Sequence, residues 1–183
     1  MGSSFNKPQF KEEKNLLVFS PTSADIGLAH KRAKKMGILR GSFTRGMGNM
    51  VGCLGEICVE KLLPHSKYVG NAVYSHDFVY KNKRIEVKSK SCTSVPLPHY
   101  MASLNLKKGD HPDNDIYVFT RVRKDLIKAW VVGWYPTTKL LKKTKFREKG
   151  YTFKDGFVTK VSGHHIPIKK LRPATQLLRG VYK

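Results

Sequence analysis

Asp77-Phe78-Val79-Tyr80-Lys81-Asn82-Lys83-Arg84-Ile85-Glu86-Val87-Lys88 reads as a β-hairpin. Two runs of β-branched and aromatic residues flank a polar Lys-Asn-Lys turn, and asparagine tolerates the left-handed backbone that tight hairpin turns require. Period-two alternation sends Ile85 and Val87 to one face and Arg84, Glu86 and Lys88 to the other. With Lys81-Asn82 as a two-residue loop, Phe78 pairs with Ile85 and Asp77 lies opposite Glu86. A register shifted by two residues puts Asp77 opposite Lys88, on the same face. Like charges facing one another across strands destabilise a sheet, so the carboxylate pair asks for a cation. Hard oxygen ligands without soft ones suit Mg2+. A bare Glu-x-Lys on a strand is more often a solvated ion pair, so a second element has to decide.

That element lies upstream. Asn49 to Leu63 has helical periodicity and is closed by Pro64. At ~100° per residue Glu56 falls on the stripe of Gly52, Val59 and Leu63, away from Leu54, Cys58 and Leu62, and both stripes look apolar enough to be buried. A carboxylate there is costly unless it is paired or near a metal. Gly52 and Gly55 weaken the helix and are explained by close packing against a sheet or a substrate backbone.

Gly52-Cys53-Leu54-Gly55-Glu56 on a helix, then Asp77, then Glu86-Val87-Lys88, resembles the PD-(D/E)xK nuclease superfamily over residues 46–134. His76 stands where the Pro that names the motif would be. The resemblance implies an α/β (α+β) fold of restriction-endonuclease type, a mixed central sheet flanked by helices. It also implies Mg2+-dependent phosphodiester hydrolysis of DNA by a nuclease of the kind found in bacteria and phages, with endonuclease action the expected mode. Asp77, Glu86 and the Val87 carbonyl would ligate the metal, with Glu56 bound directly or through water and Mn2+ able to substitute. Lys88 would orient or deprotonate the attacking water, and Lys90, two residues further along the same face, would contact phosphate.

The first twenty residues carry little pattern. Ser20 to Asp25 then offers capping residues, and Ile26, Ala29, Ala33 and Met36 recur at helical spacing to about Gly37. Lys31, Arg32, Lys34 and Lys35 occupy the outer side of this helix, and Arg40 and Arg45 follow without an intervening acid, a pattern suited to DNA phosphates. The organisation expected is a basic helical extension over residues 1–45 and a nuclease domain over 46–183. Downstream, Ser94 to Asn114 is a Pro-containing crossover that makes a weak crossover helix, a departure from the family pattern. Ile116 to Val122 and Ala129 to Trp134 read as strands, and Pro136 opens a short helix through Leu141. Lys142 to Lys160 is a basic excursion, Ile166 to Ile168 a last strand, and Pro173 precedes a helical turn.

Composition narrows the partner. Thirty-five Lys and Arg against 13 Asp and Glu in 183 residues make a net charge of +22, more than solubility requires and suited to a polyanion. No apolar run approaches the ~18 residues of a membrane span, which favours DNA over a membrane. Cys53, Cys58 and Cys92 are odd in number and lack zinc spacing, which points to a reducing, cytoplasmic setting, a host's cytoplasm for a viral protein. A homodimer is compatible with the sequence. His164-His165 reads as a loop pair, since adjacent strand residues would face opposite ways and could not share a metal. Two rivals remain: a non-enzymatic basic binder of ribosomal or packaging type, for which the charge suffices, and an HNH nuclease using His111 and Asn114, for which flanking histidines are missing.

Overall fold

The computed structural model describes residues 9–14, 16–36, 47–70 and 75–178. Its fold is α+β, with one seven-stranded mixed sheet and one three-stranded sheet. The large sheet is ordered β1 (Phe10–Glu13), β2 (Leu16–Phe19), β8 (Ala129–Pro136), β7 (Ile116–Arg123), β5 (Lys83–Cys92), β4 (Phe78–Tyr80), β3 (Lys67–Tyr68). Among the described strands only β5 and β7 run parallel. The centre is β7 and β8, whose Ile116–Thr120 and Ala129–Tyr135 are buried throughout. Near-continuous apolar sequence is what a strand covered on both faces requires.

One face carries α2 (Met47–Leu62), with α1 (Ser23–Met36) packed on it and α4 (Ala174–Leu178) alongside; Leu54, Ile57 and Cys58 meet Ile85, Val118 and Val131 there. The opposite face is covered by α3 (Thr137–Lys143) and by the small antiparallel sheet, ordered β6 (Met101–Leu104), β10 (Gly163–Pro167), β9 (Lys145–Arg147). Leu104 and Ile166 from that sheet pack with Tyr117, Phe119 and Trp130.

The hairpin has the expected register as far as Phe78↔Ile85, with Lys81 and Asn82 both at positive φ, 48° and 59°, but the ladder ends there and the expected pairing of Asp77 with Glu86 is not formed. The turn is of type I′, whose twist matches the strands it joins. Helix α1 begins with a reciprocal cap. The Thr22 N–H donates to Asp25 Oδ2 at 2.8 Å and the Asp25 N–H to Thr22 Oγ1 at 3.3 Å.

Three further expectations are corrected. The stretch read as a helical extension contributes β1, β2 and α1 to the same sheet and core, with β2 pairing β8. Four-residue strands at a sheet edge are too short to show clear alternation, which is why residues 9–20 carry no legible pattern. The crossover from Ser94 to Asn114 holds strand β6 instead of a helix. Pro96 and Pro98 deny a helix the backbone donors it needs, and long-range pairing with β10 then decides the conformation. His164 and His165 lie in β10, not in a loop. Their rings do face apart, to Thr144 Oγ1 (2.9 Å) and Ser103 Oγ (2.8 Å), so they hold no shared ligand position.

Candidate active site

Just before β4, the Asp77 N–H still donates to the Ile85 carbonyl at 2.9 Å, while β5 runs on to Cys92 paired only with β7 among the described strands. The Asp77 carboxylate turns into this gap and accepts the Val87 N–H through Oδ2 at 2.7 Å. A residue's N–H and C=O leave a strand on the same side, so the Val87 carbonyl shares that edge with Asp77.

Glu56 comes to the same place from α2 because of the residue before it. A Cβ on Gly55 would lie 2.0 Å from Ser89 Oγ and 2.5 Å from Thr120 Oγ1, two hydroxyls that bond each other at 2.7 Å. The helix therefore settles onto β5 and β7 at Gly55 and carries Glu56 down with it. Gly52 has open space where its Cβ would be, so the packing explanation holds for Gly55 and fails for Gly52.

Half-buried Glu56 accepts the Tyr68 hydroxyl through Oε2 at 3.0 Å. The Arg32 guanidinium lies 3.7 Å over the Tyr68 ring and pairs with Glu60 at 2.7 Å, which locks the tyrosine from behind. This corrects the reading of Arg32 as a phosphate contact. Its side chain is only 14% exposed and serves the Tyr68–Glu56 brace. Lys31, Lys34 and Lys35 are exposed as expected; Lys31 and Lys35 line a cavity of about 600 Å³ with Arg32 and Tyr68, so the basic helix face adjoins the brace. Arg40 and Arg45 lie outside the described residues.

The three carboxylates feel one another. Burial, then Glu86, then Glu56 push the Asp77 carboxyl up to about 8. Burial likewise raises Glu56, opposed by Tyr68 and Arg32 and reinforced by Glu86. Glu86 forms an ion pair with Lys88. Each acid is thus turned to a protein donor: Asp77 to the Val87 N–H, Glu56 to Tyr68, Glu86 to Lys88. Among the described residues, no group of three or more His, Cys, Asp or Glu side chains is drawn together at metal-holding spacing. The donor set still fits a hard divalent cation, since one would relieve the burial and the repulsion by Glu86 that raise Asp77 and Glu56, and no soft ligand competes.

Lys90 reaches a different partner from that of Lys88. Its Nζ donates to Ser103 Oγ at 2.6 Å, and burial together with Arg121 pulls the ammonium down to about 8. Asn114 is buried, donating to the Ile116 carbonyl and Thr137 Oγ1, while His111 is exposed, so these two residues do not assemble an HNH site. Sequence reading missed Tyr68, Ser89, Thr120 and Arg121. Their roles depend on neighbours distant in the chain, and no local spacing announces them. No known protein family and no curated protein matches the chain, so the functional reading rests on this site's own chemistry.

Proposed function

We propose that the chain is a divalent-metal-dependent DNA nuclease of PD-(D/E)xK type. One observation carries the reading: in a chain of net charge +22 with only 13 acids, Asp77 and Glu56 are desolvated beside Glu86, which raises the proton affinity of both. An arrangement that weakens the fold unless a cation is supplied is characteristic of a functional site. Asp77, Glu86, the Val87 carbonyl and Glu56 would hold Mg2+ or Mn2+, which when bound supplies charge stabilisation at phosphate and a more acidic water. Lys88, already in contact with Glu86, would orient the attacking water and offset charge on phosphate. Tyr68 and Arg32 fix Glu56, and Lys31, Lys34 and Lys35 would hold the DNA backbone. Free Cys53, Cys58 and Cys92 agree with a cytoplasmic setting.

The test is cleavage of supercoiled and linear DNA in Mg2+, with and without chelator. Asp77→Asn, Glu86→Gln and Lys88→Ala should each cost roughly 100-fold or more while the protein stays folded. Nicking of the closed circle identifies the expected endonuclease; attack on linear DNA alone identifies an exonuclease. Wild-type cleavage by folded Glu86→Gln would sink the assignment. The net charge of +22 also favours a second reading, a non-enzymatic binder, for which chelator would alter nothing but affinity.

A further inference from the structure

Between the large sheet and the loop joining β9 to β10 lies a cavity of about 370 Å³ lined by Lys90, Tyr100, Met101, Arg121, Asp155, Gly156 and Phe157. Lys90 and Arg121 are half-buried neighbours whose charged ends are desolvated. All 13 Asp and Glu of the chain are among the described residues, and neither cation forms an ion pair with any of them. Asp155 instead accepts the Phe157 N–H through Oδ1 at 3.2 Å.

What holds the two cations is neutral. Arg121 donates to the Met101 carbonyl at 2.8 Å, and Lys90 donates to Ser103 Oγ and, at 3.4 Å, to the same carbonyl. Ser103 is bonded at 2.8 Å to Nδ1 of His165, which burial and then Lys90 hold neutral, pulling its pKa down to about 4. Since Lys90 donates to Ser103, the serine hydroxyl is left to donate to His165, and the chain of bonds aims the ammonium. Two repelling cations kept out of water without a counter-ion are costly, and an apolar pair would serve the packing better.

We propose that this cavity is a phosphate-binding subsite for the strand being cut. The identity of that strand rests on the nuclease reading: a narrow cleft lined by Lys88, Lys90, Ser103 and Arg121 shares Lys88 with the carboxylate site. Two cations match the charge of a terminal phosphomonoester, about −1.5 to −2, better than the single charge of an internal phosphodiester. The aromatic rings of the lining serve the cations themselves: Lys90 Nζ lies 4.9 Å from the Phe157 ring centroid and the Arg121 guanidinium 6.0 Å from that of Tyr100.

The test is anisotropy in chelator with one labelled single-stranded oligonucleotide bearing a 5′-phosphate, a 3′-phosphate or neither, plus competition by inorganic phosphate. Wild type should favour one phosphorylated end by about tenfold, and Lys90→Met and Arg121→Gln should each erase the preference. Lys90→Met should melt no lower than wild type, because a desolvated charge has gone. Equal affinity for all three oligonucleotides, weakened alike by both substitutions, assigns the pocket to an internal phosphodiester and overturns the terminal-phosphate assignment. Unchanged binding in both folded variants overturns the subsite, as does a Lys90→Met chain that cannot fold, which would make the lysine structural. The assay contains no metal and reads no cleavage, so failure of the pocket and failure of the nuclease reading are separate results.

Discussion

Asp77 is the side chain whose protonation reports on the site. In metal-free protein its carboxyl titrates near 8 when folded and near the ordinary 3.8 when unfolded. Between those values the unfolded chain has released a proton the folded one keeps, so stability falls as pH rises from about 4 and levels off above about 8. Asp77→Asn retains an oxygen for the Val87 N–H and removes the titration. Thermal melts in chelator should therefore show the Asp77→Asn variant gaining on wild type across that window; parallel profiles would mean the carboxylate is solvated. Glu56 offers a second residue-scale test. Tyr68→Phe deletes the hydroxyl donor but keeps the ring under Arg32, and loss of such an outer partner typically costs about 10- to 100-fold in metal affinity or activity. Metal titration of the variant, with an unchanged melting temperature as control, separates this positioning role from a packing role.

Helix α2 depends on a contact that tolerates only glycine at its centre. Gly55→Ala places a methyl against Ser89 and Thr120, which must rotate out of their mutual hydrogen bond or push the helix away. Overpacking of this kind costs about 1–3 kcal/mol. Urea denaturation should show that loss, and cleavage should fall further than stability accounts for, because Glu56 moves with the helix. Wild-type stability and activity would mean the interface is looser than the distances indicate. The β4–β5 turn makes an opposite prediction. Lys81 sits in left-handed backbone that suits Asn, Asp or Gly better, so Lys81→Asn with Asn82→Gly should stabilise the hairpin and raise the urea midpoint in the same denaturation experiment.

The balance of charge over the molecule sets how DNA is approached. Exposed Lys31, Lys34 and Lys35 should each contribute about 0.9 to the slope of log affinity against log salt on duplex DNA. Replacing all three should flatten it accordingly. Arg32→Ala should lower stability instead, through Tyr68 and Glu60, and an equal slope change from Arg32 would contradict its place in the brace. Above about pH 8, where metal-free Asp77 is ionised, the basic field is opposed by the repulsion of phosphate by Glu56, Asp77 and Glu86, and the comparison of Ca2+ with chelator belongs there. Ca2+, which accepts the same oxygen ligands with looser geometry, should tighten DNA binding by wild type relative to chelator and leave an Asp77→Asn, Glu86→Gln double variant little changed. Equal responses of the two proteins would favour the non-enzymatic binder.

Local sequence determined the hairpin, its register and turn, both long helices, and the central strands, because periodicity and turn chemistry act between residues close in the chain. It also determined that Glu86 and Lys88 share a face, since alternation along a strand leaves no choice. Tertiary structure alone decided that Phe10–Glu13 and Leu16–Phe19 are strands extending the large sheet, that Ser94 to Asn114 contributes β6, and that a second small sheet covers one face. Short strands take their conformation from partners far away in sequence, here Val131 for Leu17 and Ile166 for Ala102. The site divides the same way. Glu56, Asp77, Glu86 and Lys88 were legible as charges that local pattern left in costly positions. Arg32's turn to Tyr68, and the gathering of Lys90 and Arg121 without a counter-ion, were not, because long side chains reach whatever the fold brings near them.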